Sequence, residues 1–260
     1  MKRTLSKIEQ NLFSNALDNL GIVEGDNLFV HSDLLHLGFP LDGKLMYLDT
    51  LKHKIGKMGS LFAPAFTFSF LREHEYDYKL TRPINMGFLS DQLLSDPNSC
   101  RSKHPINSIL MYGPLANKLN NIETLSAYAE DGIFAKLLDH NVKIVLLGAR
   151  PDHISYSHFS EELFSVPYRK FLSVQGSVRF SETDERENCV FQFFGRNLEI
   201  DPVLGGYDTL VKELIKQHKW TTTNLQGCTL YSGLALDYVQ HLNLKLAENP
   251  AWLIEKERFS

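Results

Sequence analysis

A histidine and a glutamate lie three residues apart in the middle of the chain. His158 and Glu161 follow a short polar loop, which comes after a nearly continuous apolar run at residues 142–147. Ser155 is placed to cap a helix that begins there, and helical spacing puts the imidazole and the carboxylate on one face. The carboxyl end of a buried strand is where α/β proteins commonly keep reactive groups. The pattern predicts that His158 is a general base and that Glu161 orients it.

The same stretch allows other interpretations. A histidine and a glutamate at this spacing are also common as a surface pair on a helix. His153, His158 and Glu161 could be metal ligands, but the chain has neither an HExxH helix nor paired cysteines, so we expect no metal. A hydrolase with Ser32 or Ser102 as its nucleophile is a further alternative, which the lack of a G-x-S-x-G motif disfavours.

Helices and strands alternate along the chain, and they must position these residues. No linker and no internal repeat interrupts them. The pattern predicts one α/β domain over residues 1–260, with a central mixed sheet flanked by helices and a late β-hairpin. Strands are predicted at residues 27–30, 60–66, 108–112 and 142–147, and the hairpin at 172–180 and 188–194. Helices are predicted at residues 7–20, 44–57, 87–94, 114–119, 132–139, 207–217 and 230–247, besides the one that begins at 155.

Two details of this pattern are specific enough to be tested. The first helix repeats apolar residues every fourth position, which predicts a buried face of Ile8, Leu12, Ala16 and Leu20. Residues 67–86 sustain no period, so they are predicted to form a long loop that is functional or mobile.

Composition and charge limit the class of protein. The chain has 260 residues, 43% of them hydrophobic, and a net charge of −4 without a Lys/Arg block, so no nucleic-acid partner is expected. The three cysteines are scattered, which is typical of reduced thiols in a cytoplasm. No apolar run approaches the roughly 18 residues of a membrane span. We expect a cytoplasmic protein without a membrane partner, either a monomer or a homodimer.

Five segments in order resemble one known family. The segment at 25–34 is similar to its GD…VHSSL motif, 59–67 to GT…PAFT and 86–91 to MG-x-x-x-E. Residues 101–108 fit RS-x-HP-x-x-S, and residues 155–169 fit T-x-x-H-x-x-E…VPYR. On these motifs the chain resembles the aminoglycoside N3-acetyltransferase family, whose fold is unrelated to that of the common N-acetyltransferase superfamily. The departures are Asp33 for a second serine, Asp91 for Glu and Ser155 for Thr.

The resemblance implies transfer of an acyl group, usually from acetyl-CoA, to the amine of an amino sugar. His158 would take the proton from the amine, while Glu161 fixes the imidazole tautomer. Two turns then become candidates for binding the coenzyme through hydroxyl, backbone and guanidinium donors. The predicted coenzyme-binding residues are His31, Ser32, Arg101, Ser102, His104 and Ser108.

The acceptor stays open at this level, between an aminoglycoside and a sugar nucleotide or antibiotic precursor. A non-catalytic protein that binds CoA or a sugar is a further alternative. The residues predicted to bind the acceptor are Asp77, Glu162, Tyr168 and Arg169. An acidic pocket for a polycation could use Glu73, Glu75, Asp77, Glu161 and Glu162. A nucleotide-linked acceptor would instead use Arg72, Arg82 and Arg169.

Overall fold

Short strands and helices alternate through the chain. The computed structural model describes residues 7–255. The strands are Lys7–Ile8 (β1), Asn27–Ser32 (β2), Phe39–Pro40 (β3), Ser60–Pro64 (β4), Glu75–Asp77 (β5), Ser99–Arg101 (β6), Ile109–Tyr112 (β7), Lys143–Leu147 (β8), Arg169–Arg179 (β9), Glu187–Arg196 (β10), Trp220–Leu225 (β11) and Cys228–Leu234 (β12). The helices are Gln10–Asn19 (α1), Leu34–Leu37 (α2), Met46–Ile55 (α3), Phe70–Glu73 (α4), Phe88–Leu94 (α5), Pro114–Leu119 (α6), Ile133–Leu138 (α7), Tyr156–Leu163 (α8), Tyr207–Lys216 (α9) and Ala235–Glu248 (α10).

Seven of the strands form a mixed sheet in the order β11-β12-β8-β2-β4-β7-β6. The middle three, β8, β2 and β4, are parallel, and the strands on either side are antiparallel. The carboxyl ends of the parallel strands, at Ser32, Pro64 and Leu147, therefore meet at one edge. The predicted mixed sheet flanked by helices is confirmed, and its parallel edge is where a site is expected.

The central strands are buried on both faces, because alternate residues pack against two separate layers of helices. Phe29 and Ile144 belong to an apolar cluster with residues of α7, α8 and α10. Their chain neighbours Leu28 and Val145 belong to a second cluster with residues of α1 and α3. Among residues 7–255, no helix is both long and apolar enough to cross a membrane.

A smaller sheet of three strands, β10-β9-β5, lies beside the main one. Its antiparallel pair β9–β10 confirms the predicted hairpin, with Cys189 opposite Gly176. The prediction of a long loop at residues 67–86 was wrong in part, since this segment contains α4 and β5. β5 is only three residues long and pairs with β9 about a hundred residues away, while Tyr76 is buried in the core of the small sheet. Such a long-range pairing leaves no local period in the sequence.

Two predicted helices differ from the observed ones. The first begins at Gln10, and Leu12 is 41% exposed, because the buried face follows Phe13, Ala16 and Leu17 at the three- and four-residue spacing of a helix. The last helix begins at Ala235, since Leu230 lies in β12.

The hairpin of β11 and β12 was missing from the prediction. It turns at Gln226 and Gly227, both with positive φ, which suits a two-residue hairpin turn. Residues 220–225 had no predicted element, and the part of β12 from Leu230 onward was predicted to be the start of a helix.

The turn that follows β6 joins the two sheets. The Arg101 side chain is buried, and its guanidinium donates to the carbonyl of Ala65 at 2.6 Å and to that of Thr81 at 2.7 Å. Its Nε donates to the Ser108 hydroxyl at 2.9 Å, and this hydroxyl in turn donates to Ala65. A buried guanidinium is stable only when its donors are satisfied, so this cluster holds the segment after β5 against β4.

His104 completes the same turn. Its Nδ1 accepts from the backbone N–H groups of Ile106 at 3.3 Å and Asn107 at 3.0 Å, so the proton is on Nε2, which donates to the carbonyl of Leu125 at 3.2 Å. Burial lowers the pKa of His104 to about 4. The folded protein therefore holds this imidazole neutral.

Replacing Arg101 tests its structural role. Arg101→Met removes a buried cation and leaves carbonyl groups without donors, so we expect the free energy of unfolding to fall by about 3 kcal/mol. Urea denaturation measures it. The control is Arg72→Met, at an exposed position of α4, which should change the stability little. Equal stabilities for the two variants would contradict this role.

His104 should make stability depend on pH. Its pKa is about 4 in the folded chain against 6.5 in the unfolded one, so the unfolded state binds the extra proton as the pH falls through this window. His104 alone then accounts for a loss of about 2 kcal/mol between pH 7 and pH 5. Denaturation at both pH values should show a smaller loss in His104→Asn, whose amide oxygen can replace Nδ1. The same loss in His104→Asn as in the wild type and in the exposed control His53→Asn would contradict the assignment.

Candidate functional site

A cleft of about 480 Å³ opens where the parallel strands end. Three segments that follow β2, β4 and β8 form most of its wall, and the loop before α5 closes one side. The lining residues are His31, Ser32, Asp33, Pro64, Phe66, Phe68, Asn85, Met86, Gly87, Ala149, Asp152, His153, Ser155 and His158. The cleft is thus a product of the sheet topology.

A second cavity, also about 480 Å³, lies beneath the β9–β10 hairpin. Its wall combines hairpin residues with residues of the main domain. They are Phe68, Leu71, Asn107, Tyr128, His158, Arg169, Leu172, Phe193, Phe194, Gly195, Arg196 and Leu198. His158 and Phe68 line both cavities, so a group held in either one can reach the same imidazole.

The predicted pair is held together by a third residue. His158 Nδ1 lies 2.6 Å from Glu161 Oε2, one turn further along α8. The same carboxylate oxygen lies 2.7 Å from Nε of Arg169, the first residue of β9. Glu161 is completely buried, whereas the His158 side chain is 35% exposed. The buried carboxylate is therefore neutralised by the guanidinium while the imidazole stays accessible.

These contacts determine the tautomer of His158. The hydrogen bond from His158 and the charges of His158 and Arg169 outweigh desolvation and lower the pKa of Glu161, so this residue is ionised and can only accept. Nη2 of Arg169 lies 3.1 Å from the same Nδ1, but the carboxylate oxygen is nearer at 2.6 Å, so His158 donates to it through Nδ1–H and Nε2 is left as the acceptor. Nε2 has no hydrogen bond to any residue in the range 7–255. Burial and the positive charge of Arg169 lower the pKa of His158 despite the opposing effect of Glu161. The imidazole is thus neutral at pH 7, as a base must be.

Two tyrosines surround the pair. The Tyr168 hydroxyl lies close to the Glu161 carboxyl and contributes to lowering its pKa. Tyr128 packs edge-on against the His158 ring, with 5.7 Å between ring centroids, and stacks on Phe134. Both tyrosines are buried, so their rings fix the position of the imidazole and the carboxylate.

His31 lines the cleft at the end of β2. Its Nε2 lies 3.4 Å from the backbone N–H of Ser155, and burial lowers its pKa to about 3. The ring is therefore neutral. Ser155 precedes α8, as predicted, but its side chain makes no capping bond, since its backbone is already helical.

Ser32 ends β2 beside the loop before α5. Its hydroxyl accepts from the backbone N–H of Leu89 at 3.3 Å. Gly87 has φ +90°, and a Cβ there would lie 2.2 Å from the Ser32 carbonyl. Only glycine permits this approach, which brings the loop to the cleft.

Four of the residues predicted to bind the coenzyme lie away from the cleft, namely Arg101, Ser102, His104 and Ser108. The donors of Arg101 and both ring nitrogens of His104 are engaged in the turn described above. The Ser102 hydroxyl accepts from the backbone N–H of Ile109 at 2.9 Å. These four residues of the motif at 101–108 therefore pack the two sheets together and do not line the proposed coenzyme site.

Three residues predicted to bind the acceptor line neither cavity, namely Asp77, Glu162 and the buried Tyr168. Asp77 forms an ion pair with Arg179 at 2.6 Å and accepts from the N–H groups of Lys79 and Leu80. Glu162 accepts from the Ser126 hydroxyl at 2.8 Å. Neither carboxylate is free to bind an ammonium in the structure, whereas Arg169 lines the second cavity.

Several lining residues were not identified in the sequence. Tyr128 lies between regular elements and outside any recognised motif, while Asn107 occupies an unspecified position of the motif at 101–108. Phe68 lies in the segment 67–86, which was predicted to be a loop. The four aromatic residues of that segment, Phe68, Phe70, Tyr76 and Tyr78, were the only sequence signal for a wall residue there. Within residues 7–255, no group of three or more His, Cys, Asp and Glu side chains is arranged to hold a metal ion.

Comparison with known proteins connects this geometry to a family. Residues 29–228 match the sequence model of the family described as aminoglycoside 3-N-acetyltransferase. Aminoglycoside N(3)-acetyltransferase III of Serratia marcescens is 27% identical in an alignment of 194 residues, and the match covers 65% of this chain and 72% of that protein.

Solved structures of the proteins AAC-IIIb and AAC-VIa share the fold of this chain. AAC-IIIb in a binary complex with CoASH superposes with a TM-score of 0.79 at 21% identity, covering 94% of this chain and 97% of that one. AAC-VIa bound to sisomicin also gives 0.79, at 18% identity, covering 94% and 98%. The match to the sequence model covers more than half of the chain, and the chain belongs to the aminoglycoside 3-N-acetyltransferase family of acyl-transferring enzymes.

Proposed function

We propose that this chain transfers an acetyl group from acetyl-CoA to an amine of an amino sugar, with His158 as the general base and Glu161 orienting it. The observation that carries the proposal is the position of His158. Its imidazole lines both cavities, while its Nδ1–H is held by a buried, ionised carboxylate 2.6 Å away. Two reactants can therefore meet at one base.

The reaction balances with this single base. An ammonium cannot attack a carbonyl until it has lost a proton, and Nε2 of His158 accepts that proton. The amine nitrogen then bonds to the thioester carbonyl carbon and releases its second proton to solvent, the carbon–sulfur bond breaks, and the first proton passes from His158 to the thiolate that leaves. Acetyl-CoA supplies the activated acyl group. A positioned base is worth roughly 10²- to 10⁴-fold in rate.

Glu161 and Arg169 have opposite effects on the pKa of His158, the proposed base. The carboxylate stabilises the imidazolium that forms during the reaction, as in other His–acid pairs. The guanidinium prevents the pKa of His158 from rising too far, so the base is unprotonated before the amine arrives. Together the two residues orient the imidazole and leave its Nε2 unprotonated.

The cleft at the strand ends suits the pantetheine arm of the coenzyme. It combines apolar walls, Pro64, Phe66 and Ala149, with polar groups from Ser32 and Asn85. A chain of methylenes and amides needs this mixture of surfaces. His31 and Ser32 thus stay in the proposed coenzyme site, and Arg169 stays in the proposed acceptor site beneath the hairpin.

The comparisons support both halves of the proposal. The related AAC-IIIb binds CoASH, and the related AAC-VIa binds sisomicin, which carries amino sugars. The cytoplasmic location and the choice between monomer and homodimer stay predictions from the sequence.

Replacing His158 separates an enzyme from a protein that only binds. His158→Ala should lower kcat for acetyl transfer by roughly 10²- to 10⁴-fold, because the base is lost, while CoA binds as before. Thiol release from acetyl-CoA measures turnover, and calorimetry measures CoA binding. The matched control is His241→Ala, which removes another histidine that lies 2.6 Å from a glutamate oxygen but lines neither cavity. Unchanged turnover in His158→Ala would exclude this histidine as the base.

The pH dependence of kcat/KM tests the role of Arg169. The pKa of His158 is lowered, so the rate should fall on acidification only below about pH 6.5, where the ring gains its proton. Arg169→Met removes a positive charge, raises the pKa of His158 and moves this fall to a higher pH. Profiles from roughly pH 5 to pH 8 measure the shift. Lys170→Met, which removes a cation of the same strand that is paired with Glu199 and lines neither cavity, should keep the midpoint in place. A midpoint that moves downward, or not at all, in Arg169→Met would refute the electrostatic role.

A further inference from the structure

We infer that the cavity beneath the hairpin accepts an amino sugar with an apolar substituent and a single amine, in preference to a polycationic aminoglycoside. This inference rests on the proposed function and names the class of acceptor for the same site.

The walls of this cavity are apolar. Six of its twelve lining residues are leucine or phenylalanine, and they come from both the hairpin and the main domain: Phe68, Leu71, Leu172, Phe193, Phe194 and Leu198. Phe68 and Phe193 pack against each other on this wall, with 5.9 Å between ring centroids. Transfer of an aromatic or aliphatic group from water to such walls is favourable, whereas transfer of an ammonium is not.

The charges in this cavity disfavour a polycation. Among residues 7–255, no carboxylate lines it, and its charged lining residues are Arg169 and Arg196. Arg169 is paired with Glu161 at 2.7 Å, and Arg196 with Asp201 at 2.9 Å. An acceptor with several ammonium groups would lose hydration there without gaining a counter-ion. The reacting amine is an exception, since it gives its proton to His158.

The neighbouring cleft does not supply the missing acidity. It has two carboxylates, and each already has partners. Asp33 accepts from the backbone N–H of Leu35 at 2.9 Å and lies 2.7 Å from His36. Asp152 pairs with Arg150 at 2.5 Å. An acceptor with one amine and an apolar body therefore matches the described surfaces better than a polycation does.

Three acceptors test this inference with acetyl-CoA present. Methyl glucosaminide and phenyl glucosaminide carry the same single amine and differ only in the apolar group, and sisomicin is the polycation. We expect kcat/KM for phenyl glucosaminide to exceed the values for the other two by at least about tenfold. A value for sisomicin equal to or above that for phenyl glucosaminide would overturn the inference.

Variants locate the preference within the molecule. Leu172→Asp introduces a carboxylate on the cavity wall at a position that is 38% exposed, so the fold should tolerate it. It should reduce the preference for phenyl glucosaminide over methyl glucosaminide at least about fivefold and improve sisomicin. The control Val190→Asp makes a similar change at an exposed position of the same hairpin, outside the cavity. A preference that survives Leu172→Asp would place the acceptor elsewhere and overturn the inference.

Binding distinguishes this inference from the proposed function. Calorimetry with CoA present measures the affinity of each glucosaminide without turnover. Tighter binding of the phenyl compound that Leu172→Asp weakens supports the inference even if no thiol is released, a result that would refute only the proposed acetyl transfer. Equal affinities of the two glucosaminides refute the inference, whatever the turnover.

Discussion

The site depends on one buried charge. Glu161 is entirely enclosed, and an isolated carboxylate in such a place would take up a proton or destabilise the fold. Arg169 supplies the opposite charge at 2.7 Å, and His158 supplies a hydrogen bond at 2.6 Å. Because the acid stays ionised, the imidazole has one possible tautomer and one free nitrogen. The orientation of the imidazole is thus a consequence of electrostatic neutralisation within the protein.

Sheet topology explains why two cavities meet at the His158 imidazole. Three parallel strands end at the same edge, and the segments that follow them form the first cleft. α8 begins shortly after β8, so His158 lies at that edge. The small sheet then adds a second wall on the other side of the imidazole. The main sheet therefore contributes to the site mainly through the segments that follow β2, β4 and β8.

Much of this arrangement could be predicted from the sequence, because local spacing determines local geometry. The mixed sheet, the late hairpin and the contact between His158 and Glu161 follow from periodicity and from helical spacing. The role of Arg101 could not be predicted, since its partners Ala65 and Thr81 come from distant segments and the guanidinium is covered only after folding. The same is true of the pairing between β5 and β9. Residue types indicate which chemistry is possible, but burial decides whether a donor is free.

The hairpin of β9 and β10 has two tasks at once. Its first residue, Arg169, neutralises the carboxylate that is hydrogen-bonded to His158, and its later residues, such as Phe193, line the cavity beside that imidazole. Any substitution that tilts these strands alters the proton affinity of the imidazole together with the shape of the cavity. Acceptor range and reaction rate are consequently coupled through this hairpin, so evolutionary changes that broaden the acceptor range are expected to change the rate as well.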